Sequence, residues 1–491
     1  MRKIFVISAI VCFAITSTFA QQPDAEYQLL RQRYTVNADG STDYNFRKEI
    51  KLIRNRAITA YADKGETFIV YDPKYEVLTI NESYTIRPDG SRVQTPENAF
   101  IEQLPSQCAD CGRFNGIREM AIVHTALEYN CVIVLDYTIH RNADLVNETI
   151  QLVEDCPVRL YEVEITVPEK YELIANLKRT DYVDAKFVEN KTSHSYRLVA
   201  TNLPQSFNAP YLPSAATLYP TLTFYNGTPQ FKPEFDEEGL PEAMLTIVNL
   251  MDDNPFHTVR AIRNHVVDNI HLNDIPASLL GYTHATASET WQSGCGTATD
   301  RAVLLAAMLR TAGFKARVYG KDFTQVAVTI DTMEYDATPN GKIRHLPVIG
   351  EAHDVVNTID VKTTIDPTFD TLEGGYYRYS IPTEPGAYHI DVARLTPSRT
   401  APLLTQPCNE NYTYTVKLPK GMKMISPACQ IDKKFDGIGT LHIKVKQSGR
   451  KLNIERNLVL EKEIVTAQDY DKFRQMMTAW AGNCQFLFKM K

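Results

Sequence analysis

Cys295 stands in the run Trp291–Phe314, WQSGCGTATDRAVLLAAMLRTAGF, just ahead of a stretch with helical periodicity. A cysteine at a helix N-terminus is well placed for nucleophilic chemistry. Unpaired backbone N–H groups and the helix dipole there stabilise the thiolate, the form that attacks a carbonyl carbon. In an exported chain the same residue has a plainer reading, half of a disulfide or an inert thiol. Cys108-Ala-Asp-Cys111 has the spacing of a redox pair or half a metal site. It follows Leu-Pro-Ser-Gln, however, with no strand-to-helix context of the thioredoxin kind. His124, His140, His257, His265, His271 and His284 lack metal-ligand spacing, so the sequence assigns no metal and no cofactor.

The elements around these residues follow from periodicity and turn chemistry. From Tyr27 to about Tyr171 the chain alternates and turns like an antiparallel β-protein, with runs such as EIKLI (Glu49–Ile53), TFIVY (Thr67–Tyr71) and VIVLDY (Val132–Tyr137). Asp39-Gly40 and Pro88-Asp89-Gly90 supply hairpin turns. Many short strands with regular turns predict a β-sandwich. A proline-rich passage, 204–241, reads as a connection. Phe256, Val259, Ile262, Val266 and Ile270 then fall at helical spacing. A second helix is predicted from about Ala298 to Thr311, capped by Thr297 and stopped by Gly313. Strands return at Ala316–Tyr319, Gln325–Ile330 and about Val355–Ile359. A further β-region from Tyr376 ends in a helix from about Ala467, with Tyr470, Phe473, Met477 and Trp480 on one face, and a short strand Phe486–Phe488.

Composition narrows the function classes. At 491 residues the chain holds two or three domains, and 44% hydrophobic with 23% charged residues is globular. The net charge of −7 and the absence of a long basic run argue against nucleic acid and anionic membrane as partners. Arg2 and Lys3, the apolar run Ile4–Phe19 and Thr18-Phe19-Ala20 before Gln21 read as a signal peptide, 1–20. The mature protein is therefore expected in the periplasm or outside the cell, with no membrane-spanning segment. Cys12 leaves with that leader and eight cysteines remain, an even number that permits a full disulfide set; Cys408 with Cys429 is the pairing expected first.

The Gly-rich approach, the helix and the following strand resemble the transglutaminase-like superfamily of papain-like thiol enzymes. The segments SYTIRPDG (Ser83–Gly90), GIREMAIVHTALE (Gly116–Glu128) and Tyr470–Trp480 resemble exported Gram-negative multidomain proteins built on that core. The resemblance implies an α+β multidomain fold. An N-terminal antiparallel β-sandwich spans 21–203, a transglutaminase-like core 242–375, and a C-terminal β-domain with a short terminal helix 376–491. It also implies a Cys-His-Asp site, in which a strand histidine pairs with the cysteine and an aspartate in an Asp-x-Thr setting orients the imidazole.

Carried over residue by residue, the gap-free match puts Ala298 at the nucleophile position and leaves Cys295 three residues earlier. The preferred frame for the other two gives His353 and Asp366; a nearer frame gives Gln325 and Asp336. The first expectation is therefore a degenerate, non-catalytic site in which the core serves as a binding or scaffolding module. Its partner would be a protein, peptide or cell-envelope polymer that the sequence does not identify. The alternative is an active thiol acyl-transfer enzyme, a peptidase, amidase or transglutaminase, using Cys295, His353 and Asp366; a disulfide at Cys295 would remove its nucleophile. Redox chemistry at Cys108 and Cys111 is a third expectation.

Overall fold

The computed structural model describes residues 23–63, 67–227, 254–281, 283–320, 323–340, 346–349, 357–382, 390–482 and 484–490. The signal peptide expected at 1–20 and His353 lie outside these residues.

The N-terminal domain is a β-sandwich. Its large sheet has eight strands, with Ala25–Val36 and Thr42–Leu52 paired antiparallel near the middle. One pair, Ala25–Val36 with Val158–Thr166, runs parallel. Alternating residues turn Leu30, Ile50, Ile133, Tyr161 and Val163 into a buried apolar core. Two three-stranded sheets complete the domain. One contains Thr67–Tyr71, Arg118–Ile122 and Phe100–Gln103. In the other, Thr221–Tyr225 runs between Ile174–Lys178 and Asn147–Gln151. Thr221–Tyr225 thus adds a strand to this domain from within the stretch that reads as a proline-rich connection.

The central α+β core wraps around the helix Ala298–Thr311, whose residues from Ala302 to Leu309 are all essentially inaccessible. The helix Pro255–Asn269 gives Val259, Ile262 and Val266 to the same cluster, as its spacing predicts. A sheet of Lys315–Tyr319, Gln325–Ile330 and Met333–Asp336 closes the other side.

In the C-terminal domain, Asn357–Ile365 pairs parallel with Cys408–Lys417 at one end of a five-stranded sheet. The helix Tyr470–Gly482 buries Tyr470, Phe473, Met477 and Trp480 against this sheet's core. The pairing expected between Cys408 and Cys429 is corrected here. Cys408 opens the strand Cys408–Lys417 and Cys429 the strand Cys429–Phe435, and the strands Lys451–Leu460 and Gly439–Ser448 lie between these two. Three strand spacings amount to roughly 14 Å, far beyond bonding reach.

The N-terminal core holds a titratable pair with a measurable consequence. His124 is 3% exposed; burial, reinforced by the ammonium of Lys48, pushes its imidazole down to about 3. Lys48 donates to Thr67 Oγ1 at 2.7 Å beside it. Because the folded value lies below that of the unfolded chain, the unfolded state binds more protons between them. This contribution to stability is complete above about pH 6.5 and declines toward pH 3, at ~1.4 kcal/mol per pH unit at most. Urea titrations across pH 4–7 should show a shallower decline for His124→Phe than for the wild type. Parallel curves would count against this account.

Candidate active site

The head of the core helix is built by its own sequence. Thr297 caps it by accepting the Asp300 N–H at 3.2 Å, and Asp300 Oδ2 accepts the Thr297 N–H at 2.8 Å, a reciprocal capping box. Asp300 does more than cap. Its carboxylate is fully buried, accepts the Ala285 N–H at 2.6 Å, and pairs with Arg113 of the N-terminal domain at 2.6 Å. Gly296 sits so close that a Cβ there would meet the Asp300 Cβ at 2.8 Å, so only glycine fits without displacing this carboxylate.

Cys295 and Gly296 form a short strand leading into the helix, paired parallel with His271 and Leu272. Cys295 is 1% exposed and is disulfide-bonded to Cys111, 184 residues away in sequence, with the Cα atoms 5.8 Å apart. The two sulfurs lie in an apolar cluster with Cys108, Phe114, Ile117, Ile275, Leu279 and Leu280. Asn273 adds a third tie between the domains: its N–H donates to the Gly296 carbonyl at 2.9 Å and its side-chain amide to the Gln107 carbonyl at 2.8 Å.

Beside this junction lies a cleft of about 960 Å³. Thr297, Ala298 and Thr299 form its wall on the core side. The opposite wall is the N-terminal sheet of Asn147–Gln151, Thr221–Tyr225 and Ile174–Lys178. Glu148 lines it as well. Burial raises the carboxyl of Glu148 above its ordinary value; the Glu76 charge acts the same way, against Arg141 and a hydrogen bond from Ser278.

The expected site residues therefore fall in different places. Asp366 is exposed, follows the end of Asn357–Ile365 on the C-terminal sheet, and pairs with Lys417 at 3.2 Å. Gln325 opens the strand Gln325–Ile330. Asp336 accepts the Thr338 N–H at 2.8 Å. Cys295 lies on the strand just before the helix cap, and Ala298 is the first residue of the helix. Cys108 is a buried free thiol and is not bonded to Cys111, so the expected pair within Cys108-Ala-Asp-Cys111 is corrected to a bond between Cys111 and Cys295. Asp300, Arg113 and Asn273 are absent from the sequence expectations. The Thr297-x-x-Asp300 spacing is a capping signal that marks Asp300, whereas nothing local marks the other two.

Fold and site together define a thiol-enzyme-like core tied to the β-sandwich before it and followed by a second β-rich domain. Residues 246–335 match the transglutaminase-like superfamily model, and two domain families of unknown function, DUF3857 and DUF3858, match residues 38–206 and 387–485. The three matches follow the order of the domains in the fold: N-terminal β-sandwich, central α+β core and C-terminal β-domain. A candidate protease from Parabacteroides distasonis ATCC 8503 shares the fold: TM-score 0.75 and 24% identity over 95% of this chain and 99% of that one. An M1 zinc metallopeptidase from Deinococcus radiodurans aligns over 58% of this chain and 63% of its own, at 11% identity and a TM-score of 0.20, too low for any argument. No curated protein matches the chain.

The expectation of a lost nucleophile, and with it of a non-enzyme, is corrected. Gap-free matching directs attention to Ala298, but the core retains a cysteine, Cys295, on the strand that feeds the helix, covered by Cys111 rather than absent.

Proposed function

We propose that the protein is an exported thiol acyl-transfer enzyme, a peptidase, amidase or transglutaminase, whose nucleophile is Cys295 and whose disulfide-bonded form is latent. The observation that carries this reading is Cys295 itself, held just before a capped core helix beside a large cleft by a bond that thiols can reverse. The fold shared with a candidate protease supports it. In the reduced form the Cys295 thiolate attacks an amide carbonyl, the leaving amine takes a proton, and a thioester forms. Water or a second amine then releases the acyl group and restores the thiol. His353 is the proposed base and acid. For Asp366 to orient it, that carboxylate would exchange Lys417 for the imidazole.

Exported chain treated with a phosphine reductant should label at Cys295 with iodoacetamide even near pH 6. It should also release amine from a quenched-fluorescent peptide library or ammonia from glutamine peptides, whereas oxidised chain should do neither. Cys295→Ser should abolish both. A reduced Cys295 that labels only as an ordinary thiol, with no turnover, would sink the proposal.

A further inference from the structure

The wall of the cleft opposite the core helix has a chemistry of its own. In the sheet of Asn147–Gln151, Thr221–Tyr225 and Ile174–Lys178, Tyr225 pairs with Asn147, and Thr223 pairs with both Thr149 and Asn176. These five side chains share one face, because the intervening Phe224, Leu222 and Ala175 point into the N-terminal core. A sheet with one face on a core ordinarily turns polar residues to open water on the other. This polar face instead lines the cleft.

Three features narrow what such a cleft holds. Among the described lining residues there is no lysine or arginine, and the acids are Glu148 and Asp274, so phosphorylated, sulfated or uronate ligands find no counter-charge. The backbone groups of the middle strand are consumed by pairing on both sides, so a ligand on this face meets side chains, not a strand edge that a peptide could extend. Those side chains are carboxamides and hydroxyls, which donate and accept alike, as sugar hydroxyls do, with the Tyr225 ring beside them. Among the described residues no hydrogen bond engages the side chains of Asn147 or Asn176. Where the cleft meets the core, Asn273 Oδ1 is a buried acceptor with no partner among the described residues, which a ligand hydroxyl reaching it would satisfy.

We propose that this face and the cleft it lines bind an uncharged oligosaccharide, with Asn147 and Asn176 supplying hydrogen bonds, Tyr225 stacking on a sugar ring and Asn273 accepting from a hydroxyl. The inference goes beyond the thiol reading and does not need it, since the sheet belongs to the N-terminal domain and binding is measured with Cys295 still oxidised.

The test is calorimetry on the oxidised exported chain. Probes are tetramers of β-linked glucose, N-acetylglucosamine and mannose, a tetramer of galacturonate, and an acetylated, amidated Gly-Ser-Thr-Gly peptide. At least one neutral tetramer should bind. Asn147→Ala/Asn176→Ala and Tyr225→Ala should each weaken it tenfold or more at an unchanged melting temperature, and Tyr225→Phe should retain it. Should a variant melt early, saturation-transfer NMR on the wild type must place sugar protons against the Tyr225 ring. No neutral tetramer binding at millimolar concentration, tighter binding of galacturonate or peptide, or full binding by the variants would overturn the proposal.

Discussion

Cys111→Ser is expected to label at Cys295 without reductant and to turn over amide substrate at least ~100-fold faster than the oxidised wild type, which has no free nucleophile. The same substitution should destabilise the protein by about 2–5 kcal/mol, because the bond it removes closes a loop of 184 residues in the unfolded chain. The two effects separate cleanly. Cys295→Ser removes the same cross-link and should lose a similar amount of stability, yet it should gain no activity. Equal activity in both variants would show that the cross-link affects turnover through stability or domain docking, and that the sulfur of Cys295 takes no part. Denaturant midpoints beside peptide turnover, with and without reductant, distinguish these outcomes.

The elements that position the site are more legible in the sequence than the site itself. Thr297, the apolar run to Leu309 and Gly313 with its left-handed φ of 89° mark the core helix, because capping, burial and termination are local properties. The terminal helix is legible for the same reason: its four predicted face residues all become buried, together with Met476. The disulfide is not, since eight cysteines allow 105 pairings and the partner of Cys295 lies in another domain. Cys408 and Cys429 look like neighbours only while the strand order is unknown; two intervening strands part them. Asp366 is a similar case. Its Asp-Pro-Thr setting matches the expected pattern, but the strand before it pairs parallel with Cys408–Lys417, which brings the aspartate to Lys417. What local sequence omits is the tertiary pairing that decides which residues meet.

Asp300 is where that pairing concentrates, and Asp300→Ala is expected to be the most damaging single substitution in the junction. It would strand the N–H groups of Thr297 and Ala285 and leave Arg113, three-quarters buried, without its carboxylate. Breaking a buried ion pair from one side costs about 3–5 kcal/mol, because the surviving charge stays desolvated. Arg113→Ala should cost less: Asp300 would keep both backbone donors, and the lost guanidinium is the more exposed partner. Arg113 is two residues from Cys111, and Asp300 five from Cys295, so ion pair and disulfide clamp the same two segments. Their effects should therefore not add. In Cys111→Ser the ion pair and the Asn273 to Gln107 bond still hold the N-terminal segment over the thiol, so adding Arg113→Ala should raise the labelling rate of Cys295 again, by about tenfold if ~1.4 kcal/mol of docking is lost. If the second substitution leaves that rate unchanged, the ion pair stabilises the helix head alone and does not hold the cover over Cys295.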